Sequence, residues 1–152
     1  MVQMTSLSAR AGVAAAYPPD MQVAALCWRK FGDRKEVLLI TSRDTGRWIV
    51  PKGWPIEGLT PAQSALREAW EEAGVRADAD KARPCGQFLY EKILKDDSSV
   101  LLTVLLYKVR LRAGDLADSF PEEGQRERLW VAAKKAAQMV EEAELQKILR
   151  TV

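Results

Sequence analysis

The sequence predicts an α+β fold, a sheet packed against helices that do not strictly alternate with its strands. Three observations predict it. Apolar, β-branched runs recur between turn-forming residues, one segment carries both start and stop signals of a helix, and the C-terminal stretch is amphipathic at helical spacing. At 152 residues the chain fits one domain, and 47% hydrophobic with 29% charged residues is the composition of an ordinary globular protein.

QVAALCWR (residues 22–29) and EVLLITS (36–42) read as two strands, joined as a hairpin through FGDRK. RWIV (47–50) is a short strand halted by Pro51, and PKGWPIEG is a loop rich in Gly and Pro. A helix follows. Thr60 is the cap, Pro61 suits the first helical position, Gln63 completes a capping box, and Gly74 ends the helix. CGQFLYEKIL and SSVLLTVLLYKVRL are longer strands around a KDDSS turn, AGDLADSFPEEGQ is a polar loop, and RLWVA is a short strand. AKKAAQMVEEAELQKIL closes the chain as one amphipathic helix. Residues 1–20, rich in Ala, Ser and Pro, are expected to be a flexible tail ahead of a single domain spanning 21–152.

The composition excludes several chemistries. There is no histidine, which removes Ser/His/Asp triads, Cys/His dyads and His-ligated zinc. Acid–base work must come mainly from carboxylates, lysines or tyrosines. Cys27 and Cys85 have no pairing or metal-ligand spacing and suit a reduced, cytoplasmic setting as packing residues. A net charge of +2 does not by itself argue for nucleic acid, and no apolar run approaches the roughly 20 residues of a membrane helix.

Within the helix, Glu68, Glu71 and Glu72 fall in five residues. At about 100° per residue, Glu71 and Glu72 lie roughly 60° and 40° to either side of Glu68, so the three carboxylates share one face. The opposite face carries Leu66, with Ala62, Ala69, Trp70 and Ala73 beside it. Like charges at this spacing cost a few tenths of a kcal/mol per pair, which a cation offsets. Clustered carboxylates suit hard divalent ions such as Mg²⁺. Arg67 is placed to pair with Glu71 and orient it. A solvated acidic face is the alternative reading of the same three residues.

The stretch GWPIEGLTPAQSALREAWEEAGV (residues 53–75) resembles the signature of the Nudix hydrolases. Gly53, Arg67, Glu68, Glu71, Glu72, Gly74 and Val75 fall in register, with Ala69 standing in for an aliphatic residue. The resemblance implies an α/β/α sandwich with a mixed sheet and a loop-helix-loop motif binding Mg²⁺ or Mn²⁺. It implies hydrolysis of a phosphoanhydride bond, with Glu68, Glu71 and Glu72 as metal ligands, one of them a candidate base, and the Gly53 carbonyl as a further oxygen. One position departs from the pattern: Leu59 stands where a glutamate is expected. Either the three helix glutamates suffice, with Glu57 as a partial replacement, or the chain is a ligand-binding module that does not cut.

Within the family, VAALCWR, EVLLITSRDTGRWIVPKG and GQRERLWV are most similar to the diphosphoinositol polyphosphate and diadenosine polyphosphate hydrolases. That likeness implies a polyphosphorylated small-molecule substrate, the other candidates being ADP-ribose, nucleotide sugars and capped RNA ends. Arg43, Arg47, Lys52 and Arg128, with Arg126 nearby, are the expected phosphate-binding cations. Lys52 replaces a glycine frequent in that group, and Gln22 stands where the group tends to have a basic residue. Trp28, Trp48 and Trp54 are candidates to stack on a base, and Trp70 and Trp130 are assigned to packing. Glu122, Glu123, Asp96 and Asp97 are candidates for one further carboxylate. Nucleic acid is not an expected partner, and the sequence leaves the oligomeric state open.

Overall fold

A hairpin that opens at one end organises the structure. The computed structural model describes residues 18–152, so most of the expected tail lies outside the described residues. Strands β1 (Met21–Phe31) and β2 (Arg34–Thr41) pair antiparallel only from Trp28 opposite Val37 to Phe31 opposite Arg34. Towards the other end they part, and residues 48–53 fill the gap. Here β3 (Trp48–Ile49) pairs with β2, and β4 (Lys52–Gly53) pairs with β1 at Val23 and Ala24. Pro51 lies between the two, and its carbonyl accepts from the Ala25 amide at 3.0 Å. The proline that halts the first short strand thus marks where the chain crosses from one side of the opening to the other.

Strands β5 (Arg83–Ile93) and β6 (Ser99–Arg110) form the long hairpin expected around KDDSS. β6 runs parallel to β1 from Met21 opposite Thr103 to Trp28 opposite Arg110, and β7 (Arg128–Ala132) adds to β2 antiparallel. The result is a mixed seven-stranded sheet. β1 is buried at six consecutive positions, Gln22–Cys27, so both its faces are covered, as a sandwich requires. Helix α1 (Pro61–Ala73) packs on β1, β4 and β6. No helix among the described residues is long and apolar enough to cross a membrane.

The caps of α1 form as the sequence predicts. Gln63 N–H donates to Thr60 Oγ1 at 3.1 Å, and Thr60 N–H donates to Gln63 Oε1 at 2.9 Å. Gly74 adopts φ 73°, and a Cβ there would lie 2.7 Å from the Phe120 ring and 2.8 Å from the Ala117 carbonyl oxygen. The C-terminal helix departs from expectation. It is two helices, α2 (Ala133–Met139) and α3 (Ala143–Leu149), broken at the extended residue Val140. The Val140 carbonyl accepts from Gln146 Nε2 at 2.7 Å, and the break turns buried Glu142 onto Arg47. α2 packs on β2 and β7, while α3 packs on β5.

At the closed end of the hairpin, buried Glu36 accepts from Arg29 Nη2 at 2.7 Å and from Arg34 Nη2 at 2.5 Å. Burial opposes its ionisation, but the two guanidinium groups outweigh it and hold the carboxyl below its ordinary range. A depressed folded-state pKa gives stability that is present above the unfolded carboxylate range and lost as pH falls through the folded value. Because both arginines reach solvent, Glu36→Gln is expected to cost about 1 kcal/mol at neutral pH. In urea melts the gap from the parent protein should close as pH drops below about 4; a gap of constant size would show that the charge contributes nothing.

Candidate active site

The opening of the β1–β2 hairpin is a cavity of about 420 Å³ whose lining includes Gln22, Lys52, Gly53, Glu68, Glu72 and Arg126. β4 supplies Lys52 and Gly53, and α1 supplies the two carboxylates facing them. The loop between is tied to the helix by buried Ser64, whose Oγ accepts the Ile56 amide at 2.9 Å. Gly53 matters here by contact rather than by a turn. A Cβ at that position would overlap the carboxyl carbon of Glu68.

Glu72 is almost fully buried. One oxygen accepts the Lys52 amide at 3.2 Å, and the other lies 3.3 Å from Arg126 Nη2. Burial raises its pKa, against the opposing pull of Arg126. Glu68 is pushed up to about 8 by burial first, then by the charges of Glu72 and Glu71 and by a hydrogen bond with Glu72. Two carboxylates thus press together in partly desolvated space.

Those donors fit a hard divalent cation. Such an ion takes one or two protein carboxylates and completes its shell with water and phosphate oxygens. Its charge would relieve the repulsion that raises Glu68. The expected cluster of three carboxylates is not assembled, since no group of three potential ligands converges among the described residues. Glu71 is half-buried and stays off the cavity lining, although its charge is felt at Glu68. Arg67 is exposed and makes no ion pair among the described residues, so the expected pairing with Glu71 is not formed. It lines a surface hollow with Leu66 and Trp70.

The expected phosphate-binding cations divide. Arg43 and Lys52 line the cavity. Arg43 is held by Gln125 at 2.7 Å, and Lys52 Nζ lies 3.7 Å from the Tyr90 ring and 3.3 Å from Gln22 Oε1. Burial lowers the Lys52 pKa to about 8, partly countered by Glu72. Arg47 and Arg128 lie off the cavity lining. Arg47 is spent on Glu142 and Glu141 and lies over Tyr90, a structural clamp at the α2–α3 break. Arg128 donates to the Ala73 carbonyl at 2.7 Å and the Ala117 carbonyl at 2.8 Å, capping the carboxyl end of α1. Arg126 is the cation brought to the carboxylates, and Lys92 joins the lining.

Among the candidate outer acids, Glu122 alone reaches the site. Its Oε1 accepts from Arg126 Nη2 at 3.1 Å, and its amide donates to the Glu71 carbonyl at 3.0 Å, fixing the loop along α1. Glu123 staples its own loop at Ser119, and Asp96 binds Ser98 in the hairpin turn. Glu57 is exposed and absent from the lining, so it does not replace residue 59. Leu59 itself is half-buried in a turn closed onto the Ile56 carbonyl. Trp54 is 45% exposed at the cavity mouth, whereas Trp28 and Trp48 pack against the core from outside the cavity. Ser42, Asp44 and Tyr90 are lining residues that pattern reading passed over.

A family model described as the NUDIX domain matches residues 20–152. Human diphosphoinositol polyphosphate phosphohydrolase 3-alpha is 40% identical over 63 residues, 40% of this chain and 38% of that protein. The putative mutator protein MutT4 of Mycobacterium tuberculosis is 38% identical over 101 residues, 66% of this chain and 36% of that protein. The match therefore spans little more than a third of these curated relatives. Among solved structures, a C. elegans Ap4A hydrolase binary complex shares the fold with a TM-score of 0.62 at 24% identity, covering 86% of this chain and 92% of that one. The NUDIX domain of Shewanella oneidensis NrtR complexed with ADP ribose gives 0.62 at 15% identity, covering 95% and 98%.

The division of the arginines is open to test by stability. Arg128→Met strands two carbonyls at the end of α1 and is expected to cost about 1–3 kcal/mol in urea denaturation. Arg43→Ala, on an exposed side chain, should change stability by no more than about 0.5 kcal/mol. Equal effects of the two would overturn the assignment.

Proposed function

The chain belongs to the Nudix domain family, and we propose on that footing that it is a Mg²⁺-dependent pyrophosphohydrolase acting on phosphoanhydride bonds of polyphosphorylated small molecules. The observation that carries this is the Glu68–Glu72 pair set in a cavity whose lining also holds Arg43, Lys52, Lys92 and Arg126. Carboxylates alone would repel a polyphosphate, and cations alone would bind it without cutting. Their combination in one cavity suits an anionic substrate bridged to the acids by a metal.

Glu68, Glu72 and the Gly53 carbonyl would hold the ion, with Glu71 adding charge from the next turn. When bound, Mg²⁺ supplies neutralisation of phosphate charge and acidifies bound water. The protein's own groups do the rest. Arg43, Lys52 and Lys92 receive the phosphate chain, and Arg126 orients Glu72 and favours its charged form against burial. A site carboxylate accepts the proton as water oxygen bonds to phosphorus and the bridging P–O bond breaks, releasing two phosphate-bearing products.

Trp54 at the mouth and the neutral Gln22 beside Lys52 favour a substrate that carries a base, so diadenosine polyphosphates stand ahead of diphosphoinositol polyphosphates. ADP-ribose, nucleotide sugars and capped RNA ends are the remaining substrate classes. Leu59 supports a second reading, a sensor that binds without hydrolysis. Against it, residue 59 lies off the lining, so the substitution removes nothing from the acid pair.

Phosphate release should be followed with and without Mg²⁺ on diadenosine penta- and hexaphosphate, a diphosphoinositol polyphosphate, ADP-ribose and nucleoside triphosphates. Metal-dependent turnover of one of the first three is expected; tight binding without turnover would make the protein a sensor. Glu72→Gln should lower kcat by about two to three orders of magnitude with the fold retained, and an unchanged kcat would remove the site assignment. Gly53→Ala should leave thermal stability within about 1 kcal/mol yet cost on the order of 100-fold in kcat, because it displaces the Glu68 carboxylate.

A further inference from the structure

Four cations line the active-site cavity, Arg43, Lys52, Lys92 and Arg126, and three of them already face a carboxylate. Arg43 Nη1 lies 3.8 Å from Glu122, Lys92 Nζ lies 3.8 Å from Asp44, and Arg126 Nη2 lies 3.3 Å from Glu72. Lys52 alone of the four makes no ion pair among the described residues. Two uncharged groups place its ammonium instead. Nζ sits 3.7 Å from the centre of the Tyr90 ring and donates to Gln22 Oε1 at 3.3 Å.

The strand registers bring these three residues together. Lys52 stands opposite Ala24, Gln22 opposite Val104, and Tyr90 opposite Leu102. Paired residues, and residues two apart on a strand, share a face of the sheet. Lys52, Gln22 and Tyr90 therefore project from the same side. β1 and β6 lie between β4 and β5, so the lysine and the tyrosine meet over two intervening strands. Tyr90 is buried, and the Arg47 guanidinium lies 4.8 Å from its ring centre, itself paired with Glu142. A ring so enclosed keeps one orientation, and the ammonium beside it is held accordingly.

The kind of partner decides what a cation has left to give. A carboxylate beside Lys52 would cancel its charge and repel an incoming phosphate. An aromatic face attracts the ammonium through its quadrupole, and an amide oxygen accepts one of its protons, yet neither carries net charge. An ammonium has three N–H donors, so donors remain for phosphate oxygens. The other three cations must share or release a carboxylate before they serve. We propose that Tyr90 and Gln22 are positioning residues that hold Lys52 without neutralising it, and that Lys52 thereby sets the preference of this cavity for phosphate-rich ligands. The assignment rests on reading the cavity as a polyphosphate site, and it singles out one residue of the wall as the determinant of charge selection.

Inorganic tripolyphosphate should be titrated calorimetrically into the full chain without divalent cation, which reads the cations apart from turnover. Lys52→Met is expected to weaken binding about tenfold or more, and Arg43→Ala only about twofold. Tyr90→Leu should weaken it about five- to tenfold, and Tyr90→Phe, which keeps the ring, should recover most of that loss. Gln22→Glu leaves ring and ammonium in place but brings a carboxylate to Nζ, and should weaken binding about as much as Lys52→Met. Urea melts check the folding of each variant; if Tyr90→Leu does not fold, Lys52→Met and Gln22→Glu carry the test. On a substrate that the parent turns over, Tyr90→Leu should raise KM by a similar factor with kcat within about twofold, a split that general loosening would not give. Absence of turnover by the parent would remove the hydrolase reading and leave the binding series intact. No tripolyphosphate binding by the parent, equal losses at Lys52 and Arg43, Tyr90→Phe as weak as Tyr90→Leu, or Gln22→Glu as tight as the parent would overturn the proposal.

Discussion

Two carboxylates that repel each other in a partly dry cavity are the constraint around which the active end of this protein is built. Burial raises both, but Arg126 and the Lys52 amide pull against it at Glu72, while Glu68 has no such partner among the described residues and rises to about 8. The asymmetry follows from position. Glu72 faces the inserted strand and the Arg126 loop, and Glu68 faces the bare backbone of Gly53. A side chain at residue 53 would displace the Glu68 carboxyl, whose carbon lies 2.3 Å from where its Cβ would sit.

The 113–128 loop shows how a long irregular segment is made to serve that pair. Ala117 donates to the Gly74 carbonyl, Glu122 to the Glu71 carbonyl, and Arg128 closes over the last turn of α1. These bonds satisfy helix-end carbonyls that would otherwise be stranded. They also fix the frame from which Arg126 and Glu122 reach the site. Stability and function therefore use alternate arginines of one RER triplet: Arg126 meets the acids, and Arg128 caps the helix.

Local chemistry made α1 legible in the sequence. Thr60, Pro61, Gln63 and Gly74 act within a few residues of one another, so their roles do not depend on the rest of the fold. The spacing of Glu68 and Glu72 was legible for the same reason. What could not be read were choices made between distant segments. Arg47 meets Glu142 across 95 positions, a pairing that occupies an expected phosphate ligand and that forms only because the C-terminal helix breaks at Val140. Glu122 was indistinguishable from Glu123 as sequence, and separates from it only because its neighbours reach α1. Tyr90 and Lys92 read as ordinary strand residues, since nothing local shows that the strand passes the cavity.

The segment inserted between β1 and β2 carries a consequence for how such a fold diversifies. Lys52 stands on a two-residue strand, not on a long one, and its Nζ donates to Gln22 Oε1 on the neighbouring strand at 3.3 Å. The charge at residue 52 thus sits apart from the longer registers that hold the sheet. A lineage could change or delete the side chain at residue 52 while the buried run of β1 stayed as it is. Ligand choice and foldability answer to separate residues here, which makes the cavity wall a region of cheap variation around an expensive acid pair.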